Sequence, residues 1–362
     1  MNIRVLFIDD EDIRDDLKQN FDDLEISGFT LKADVAETFE IGIEKVKSLN
    51  YDLIVLDLCR GPASDTAEQE GLSVLKEIQE FTFVPVVFHS AVAYKIESLR
   101  SVVVGVSDKK DGIQILKQEI ERIISSNLVL LKERIHRHIE EEFKKYFWDT
   151  IHSKRDLFTP ESNDVSLGYL MLRRLANSLS KQNIRELIKD SRITGKALPM
   201  EFYVFPVAPK KEYEAGDILE KENDIFVVLT PDCDFVERFK GELNLGRKVG
   251  KVLLAKAKKL EEFSQYSNFK ATPNKDTNNK LSELIRNNIS DRYFFMPNTP
   301  FIQNQIVDFQ DKIMVDYSEL NSFSNIAKLD APFAQSMTSS FIRYYNRIGF
   351  PDIDVDYVIQ KL

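Results

Sequence analysis

The chain has 362 residues, room for two or three domains, and is 43% hydrophobic and 30% charged, a balance that fills buried cores and keeps a polar surface. Its formal net charge of −10 argues against the basic excess of a nucleic-acid-binding domain, and no apolar run reaches the roughly 20 residues of a membrane span. The charge belongs to the first third: residues 1–120 hold 24 Asp/Glu against 13 Lys/Arg, a net of −11, and the remaining 242 hold 35 against 36, a net of +1.

The start, "MNIRVLFIDDED", does not read as a signal peptide, because its apolar run is short and ends in four acids. The two cysteines, Cys59 and Cys233, lack the spacing of a metal knuckle. They fit a reducing cytoplasm better than a disulfide framework.

Over residues 1–125, short apolar runs alternate with helix-period stretches. The runs are "IRVLFI" (3–8), "TLKADVA" (30–36), "LIVLD" (53–57), "VPVVFH" (84–89) and "VVVGV" (102–106), and the patterned stretches lie near 12–25, 37–49, 70–80 and 92–100. This β-α-β-α rhythm predicts a doubly wound, five-stranded parallel sheet with helices on both faces. The runs at 3–8, 53–57 and 84–89 are apolar on both alternating faces, as central parallel strands require.

From Asp111 the pattern changes. Ile113, Leu116, Ile120, Ile124, Leu128, Leu131, Ile135, Ile139 and Phe143 recur at spacings of three and four, and no glycine falls between Gly112 and Gly168. The spacing predicts one long connecting helix over 112–148. It either packs along its own C-terminal region or pairs with a second copy as a coiled coil, giving a homodimer. His136 and His138 lie two residues apart on it and cannot share a face to bind a metal.

A polar segment at 152–166 reads as a linker, and residues 150–362 as an α+β domain. Helices are expected near 165–190, 256–265, 277–288 and 331–346. Strands are expected at 201–206, 224–230, 251–255, 292–297 and 306–317, with an exposed loop at 268–280. In "AGDILEKENDIFVVLTPDCDF" (215–235), "GDI" before an apolar "VVLTP" suggests a hairpin of a small β-barrel. That stretch loosely resembles the opening of PemK/MazF-type RNA-cleaving barrels. Asp232, Cys233 and Asp234 follow the strand. Two flanking acids oppose thiolate formation at Cys233, which leaves a structural turn or a carboxylate site.

Parallel sheets place their sites beyond the carboxyl edge of the strands. After the first run come Asp9, Asp10, Glu11 and Asp12; after the third, Asp57; after the fourth, Ser90; after the fifth, Lys109 and Lys110. Carboxylates gathered in this way repel unless a hard cation joins them, and Mg²⁺ takes oxygen ligands. A carboxylate held there is a nucleophile toward a phosphoryl group. A hydroxyl and an ammonium suit the charged oxygens of that group. Acidic strand ends solvated as plain loops are the simpler alternative.

These residues resemble the receiver domain of bacterial two-component response regulators, through "FIDDED", "LIVLDL", "PVVFHSA" and a lysine after the fifth run, over residues 1–125. The resemblance implies a CheY-like fold and a phosphoacceptor at Asp57. It implies Mg²⁺ ligated by Asp10, Asp57 and the main-chain carbonyl of Cys59, with Asp9 acting directly or through water. Ser90 and Lys109, or Lys110 in its place, would contact the phosphoryl group. A histidine kinase is the implied partner, with a downstream protein or a phosphate sink as the outcome, as in a stress or phage-defence circuit; no membrane or nucleic-acid role is implied. The alternative is a receiver-controlled effector enzyme, such as a nuclease built on the barrel-like stretch. A receiver-like fold that has lost phosphotransfer is a third reading.

The sequence departs from the family in three ways. The loop after Asp57 is long and acidic. Val106 or Ser107 stands where an aromatic switch is usual. No proline follows either lysine.

Overall fold

The first strand, β1 (Asn2–Ile8), is buried on both faces: Ile3, Val5 and Phe7 turn to one side and Leu6 and Ile8 to the other, all at most 1% exposed. A strand with two apolar faces is stable only between two helical layers, and the first part of the chain supplies both. A computed structural model describes residues 2–59, 67–158, 164–189, 195–208, 212–240, 243–347 and 352–362 of the chain. These fall into two units, Met1–Asp190 and Ser191–Leu362.

In the first unit, β1 pairs in parallel with β3 (Phe29–Ala36) and β4 (Leu53–Leu56), and β5 (Val86–Ser90) and β6 (Val104–Asp108) extend the sheet. A two-residue strand, β2 (Glu25–Ile26), adds antiparallel to β3, so the sheet has six strands in the order β2-β3-β1-β4-β5-β6. The five parallel strands are those the sequence predicts; the sixth is too short to leave a period. Helices α1 (Ile13–Phe21) and α4 (Ile113–Ser125) cover one face through Leu17, Phe21, Leu116, Ile120 and Ile123. Helices α2 (Phe39–Ser48) and α3 (Ala67–Phe81) cover the other through Val46, Val74 and Ile78. The stretch 93–99 is a 3₁₀ helix rather than an α-helix; its buried residues, Ala93 and Ile96, are three apart, matching the tighter turn.

Gly42 seats α2 directly on β1. A Cβ there would meet Ile8 at 2.5, 2.9 and 3.0 Å, and Ile8 is the residue before Asp9. Gly42→Val is therefore expected to cost about 2 kcal/mol through overpacking. It should read as a lower urea midpoint with an unchanged slope. A loss under about 0.5 kcal/mol would mean that this contact yields freely.

The single helix expected over 112–148 is two helices. After α4 the chain turns at Asn127, which has φ 62°, and α5 (Leu128–Lys144) begins. Asparagine tolerates this left-handed conformation, and the Ser126 hydroxyl donates to the Ile123 carbonyl and accepts from the Leu128 amide. The apolar face of α4 is spent on its own sheet, so it leaves no continuous coiled-coil seam through 112–148. From Lys145 to His152 the helix widens to a π-turn.

Helices α6 (Asp164–Ser178) and α7 (Lys181–Ile188) pack on α5 and belong to the first unit, although the sequence reading placed them in the C-terminal domain. Glu142 pairs with Arg174 at 3.2 Å, His138 bonds Ser178 at 2.9 Å, and the Arg134 guanidinium donates to the carbonyls of Leu187 and Ile188. Of the linker expected at 152–166, residues 159–163 lie outside the described residues, and 164–166 already belong to α6.

The second unit is a seven-stranded antiparallel sheet. Its strands are β7 (Tyr203–Val204), β8 (Asp217–Lys221), β9 (Asp224–Val228), β12 (Lys251–Lys259), β13 (Tyr293–Met296), β14 (Gln305–Asp316) and β15 (Ser324–Leu329), in the order β13-β14-β12-β9-β8-β15-β7. A separate hairpin joins β10 (Arg238–Lys240) and β11 (Leu243–Gly246). The sheet curls: the Tyr203 hydroxyl, at one end, donates to the Pro297 carbonyl just past β13 at the other, at 2.7 Å. The expected barrel thus takes the form of a curled sheet. The hairpin expected at 215–230 is β8–β9, turned through Glu222 and Asn223, both at positive φ as a type I′ turn requires.

Helices α8 (Asp232–Phe235), α9 (Ser264–Ala271), α10 (Lys275–Ile285), α11 (Phe333–Tyr345) and α12 (Val355–Ile359) complete the unit. The expected helix at 256–265 is the end of β12 and a 3₁₀ turn, since Ala257 and Leu254 bury in the sheet core. The expected loop at 268–280 is mostly helix: Asn274 caps α10 by accepting from the Thr277 amide.

Candidate functional site

The chain reverses direction across the sheet between β1 and β4, where the crevice of an open parallel sheet forms. Asp9 follows β1 and Asp57 follows β4, held by backbone bonds from the Asp9 amide to Ala36 and from the Asp57 amide to Ile8. Both carboxylates are buried, at 3% and 4% exposure. Oxygens of Asp9, Asp10 and Asp57 lie within 4.8 Å of one another.

Lys109, in the turn after β6, reaches into this group. Its Nζ lies 2.6 Å from Asp57 Oδ2, 2.9 Å from Asp9 Oδ2 and 2.7 Å from Glu11 Oε2. Lys110 is exposed, and its backbone amide donates to Asp108. Of the two lysines the sequence left open, Lys109 is the one at the carboxylates. Glu11 is a contact that sequence reasoning grouped with the acids but gave no role. Its backbone amide also donates to Asp9 Oδ1 at 2.9 Å, and the Cys59 amide donates to Asp57 Oδ1 at 3.2 Å.

Burial sets the electrostatics. It pushes the Asp9 carboxyl up to about 6, against the pull of Lys109. Burial alone would lower the Lys109 ammonium, but its bonds to Asp57 and Glu11 outweigh that and hold it above its ordinary value.

Ser90 ends β5, fully buried, with its hydroxyl 3.9 Å from the Cys59 thiol. It shares the edge with the carboxylates, but its described contact is with Cys59. His89, beside it, points to β6, where its Nδ1 lies 3.3 Å from the Ser107 hydroxyl; burial lowers its imidazole to about 4. The long loop after Asp57 lies at 60–66, outside the described residues.

In the second unit, the Asp232 carboxylate accepts the Ala215 amide at 2.6 Å, and the Cys233 thiol lies 3.9 Å from Asp234. Asp232 thus has a use in holding the turn onto the segment that leads into β8.

Among solved structures, those similar to the chain are response-regulator receiver domains, and they match its N-terminal third; the rest is unmatched. One is the response regulator TrrA from Thermotoga maritima in complex with Mg²⁺-BeF, 27% identical over 33% of this chain and 98% of that one, with a TM-score of 0.26. Another is a Francisella response-regulator receiver domain, also 27% identical, over 35% of this chain and 96% of that one, with a TM-score of 0.26. A third is the response-regulator domain of Thermotoga maritima CheB, 25% identical over 35% and 96%, with a TM-score of 0.28. No protein-family model and no curated protein matches the chain. Among the described residues, no helix is long and apolar enough to cross a membrane.

Proposed function

We propose that residues 2–125 form a phosphoacceptor module of the receiver type, in which Asp57 takes a phosphoryl group from a partner histidine kinase in the cytoplasm. One observation carries this reading: a single ammonium, Lys109 Nζ, bridges Asp9 and Asp57 at 2.9 and 2.6 Å, at the reversal point of a parallel sheet.

The donor set suits a divalent cation of the magnesium type. Three carboxylates offer hard oxygens within 4.8 Å of one another, two of them nearly dry, and the chain brings one ammonium against them. Asp9, Asp10 and Asp57 would hold the ion, with the Cys59 carbonyl as a further ligand. When bound, Mg²⁺ supplies the positive charge that draws phosphoryl oxygens to this edge.

The chain's own groups do the rest. An Asp57 oxygen forms the new O–P bond as the donor's P–N bond breaks, and the bonding electrons leave with the histidine. The Cys59 amide holds Oδ1, which orients the carboxylate. Lys109, freed from its carboxylates, pairs with the transferred oxygens, and the Ser90 hydroxyl faces the same edge. The signal then passes to residues 195–362 or ends at Asp57 as a phosphate sink.

The test is uptake of labelled phosphoryl groups from acetyl phosphate. Wild-type protein is expected to take up about one group per chain only with Mg²⁺ present, and Asp57→Asn none. Uptake independent of Mg²⁺, or equal uptake by Asp57→Asn, would overturn the assignment.

A further inference from the structure

The chain has one tryptophan, and it stands at the surface just beyond α5. Around it, "KKYFWDTIHSKR" (144–155) holds four Lys/Arg against one Asp, a net of +3 in a chain of net −10. Tyr146, 6% exposed, anchors the π-turn that runs from Lys145 to His152. The two aromatic residues after it face outward, Phe147 at 49% and Trp148 at 62% exposure. Tryptophan is highly buried on average. Turns of the π type are rare and collect at functional sites.

The two rings wall a cavity of about 460 Å³, together with Phe158. Its polar lining is Lys144, His152 and Arg155, and no carboxylate lines it. Glu142 is taken by Lys145 and Arg174, at 3.2 Å each, and among the described residues no Asp or Glu pairs with Lys144, His152 or Arg155. The His152 ring stands at 70° to Trp148, with 5.6 Å between centroids, so the two make a corner rather than a stack. Such a corner sets a ring face for stacking beside a ring nitrogen for hydrogen bonding.

We propose that this cavity binds a free nucleotide, with the base stacked on Trp148 and Phe147 and the phosphates held by Lys144, His152 and Arg155. Aromatic faces take a planar base whatever its identity. A guanidinium grips phosphate oxygens in pairs, and an ammonium adds a point charge. A polar lining without acids selects an anion, and aromatic walls select a flat one. The volume is that of a small-ligand site, room for one nucleotide rather than a strand. The cavity shares no residue with the edge that holds Asp57, so this assignment stands apart from phosphorylation there.

With one tryptophan in the chain, fluorescence of the full-length protein reports this cavity directly. The titration uses ATP in EDTA, which keeps magnesium from drawing the nucleotide to Asp9 and Asp57. ATP is expected to quench the tryptophan emission saturably, with a Kd below about 100 μM. Lys144→Gln with Arg155→Gln changes two exposed side chains, so the double variant should keep its circular dichroism and bind ATP at least about tenfold more weakly. In competition with ATP on the wild-type chain, adenosine lacks the phosphates and tripolyphosphate lacks the base. Each should bind at least about tenfold more weakly than ATP. Emission unchanged by ATP up to about 1 mM overturns the proposal. So does a double variant that binds as tightly as wild type, or tripolyphosphate that binds as tightly as ATP. A single-stranded adenine oligonucleotide that outcompetes ATP at equal nucleotide concentration overturns the assignment to a free nucleotide.

Discussion

Lys109→Met is expected to destabilise the first unit by about 3 kcal/mol when Mg²⁺ is chelated, and added Mg²⁺ is expected to return much of the loss. The ammonium is 11% exposed and touches two carboxylates that are each 4% exposed at the side chain. Removing one partner of a buried ion pair costs about 3–5 kcal/mol, because the other charge stays behind, dry and uncompensated. Methionine keeps the length and apolar stem of lysine, so the change isolates the charge. A cation bound at the same carboxylates stabilises the fold by about 2.7 kcal/mol at 100 times its Kd. Urea unfolding with EDTA and with Mg²⁺ reads both effects. A Lys109→Met protein as stable as wild type in EDTA would show that the carboxylates do not need the ammonium. A loss that Mg²⁺ leaves untouched would show that they do not hold the ion.

The second large effect is a pH dependence from His89. Its imidazole falls from 6.5 to about 4 on burial, a 3%-exposed ring bonded to Ser107. Because the folded value lies below the unfolded one, the unfolded chain binds the extra proton between them. The contribution of His89 to stability is therefore complete above about 6.5 and declines as the pH falls, by about 3 kcal/mol at pH 4. His89→Gln keeps a hydrogen-bonding group toward Ser107 and carries no titrating charge. Between pH 7 and pH 4 it should lose about 3 kcal/mol less than wild type. Parallel pH profiles for the two proteins would sink this account.

The parallel sheet was legible because its central strands are apolar on both faces, a pattern few other structures need. Asp9, Asp57, Ser90 and Lys109 could be located because strand ends are fixed once strands are. Contacts that depend on side-chain reach were not legible. Nothing in "VSDKKDG" says that Glu11 would share the lysine with Asp9 and Asp57. The helix break at Asn127 was hidden because apolar spacing runs through it undisturbed; the signal was "SSN" at 125–127, residues that favour caps over helix interiors. In the second unit, "KVLLAKAKK" alternates and is a strand, yet its lysines and alanines also suit a helix, and burial against β9 and β14 decided it.

Strand β4 has a consequence in the time domain. It is only four residues long, all of them buried, and it lies between β1 and β5 at the centre of the sheet. At its entry the Tyr51 hydroxyl donates to Asp34, and Lys132 of α5 donates to the Tyr51 carbonyl. Segments of this kind open only when the whole unit does. Asp57 therefore follows a strand that opens only with its unit, and the lifetime of any modification there is set by chemistry at its mouth rather than by fraying of its support.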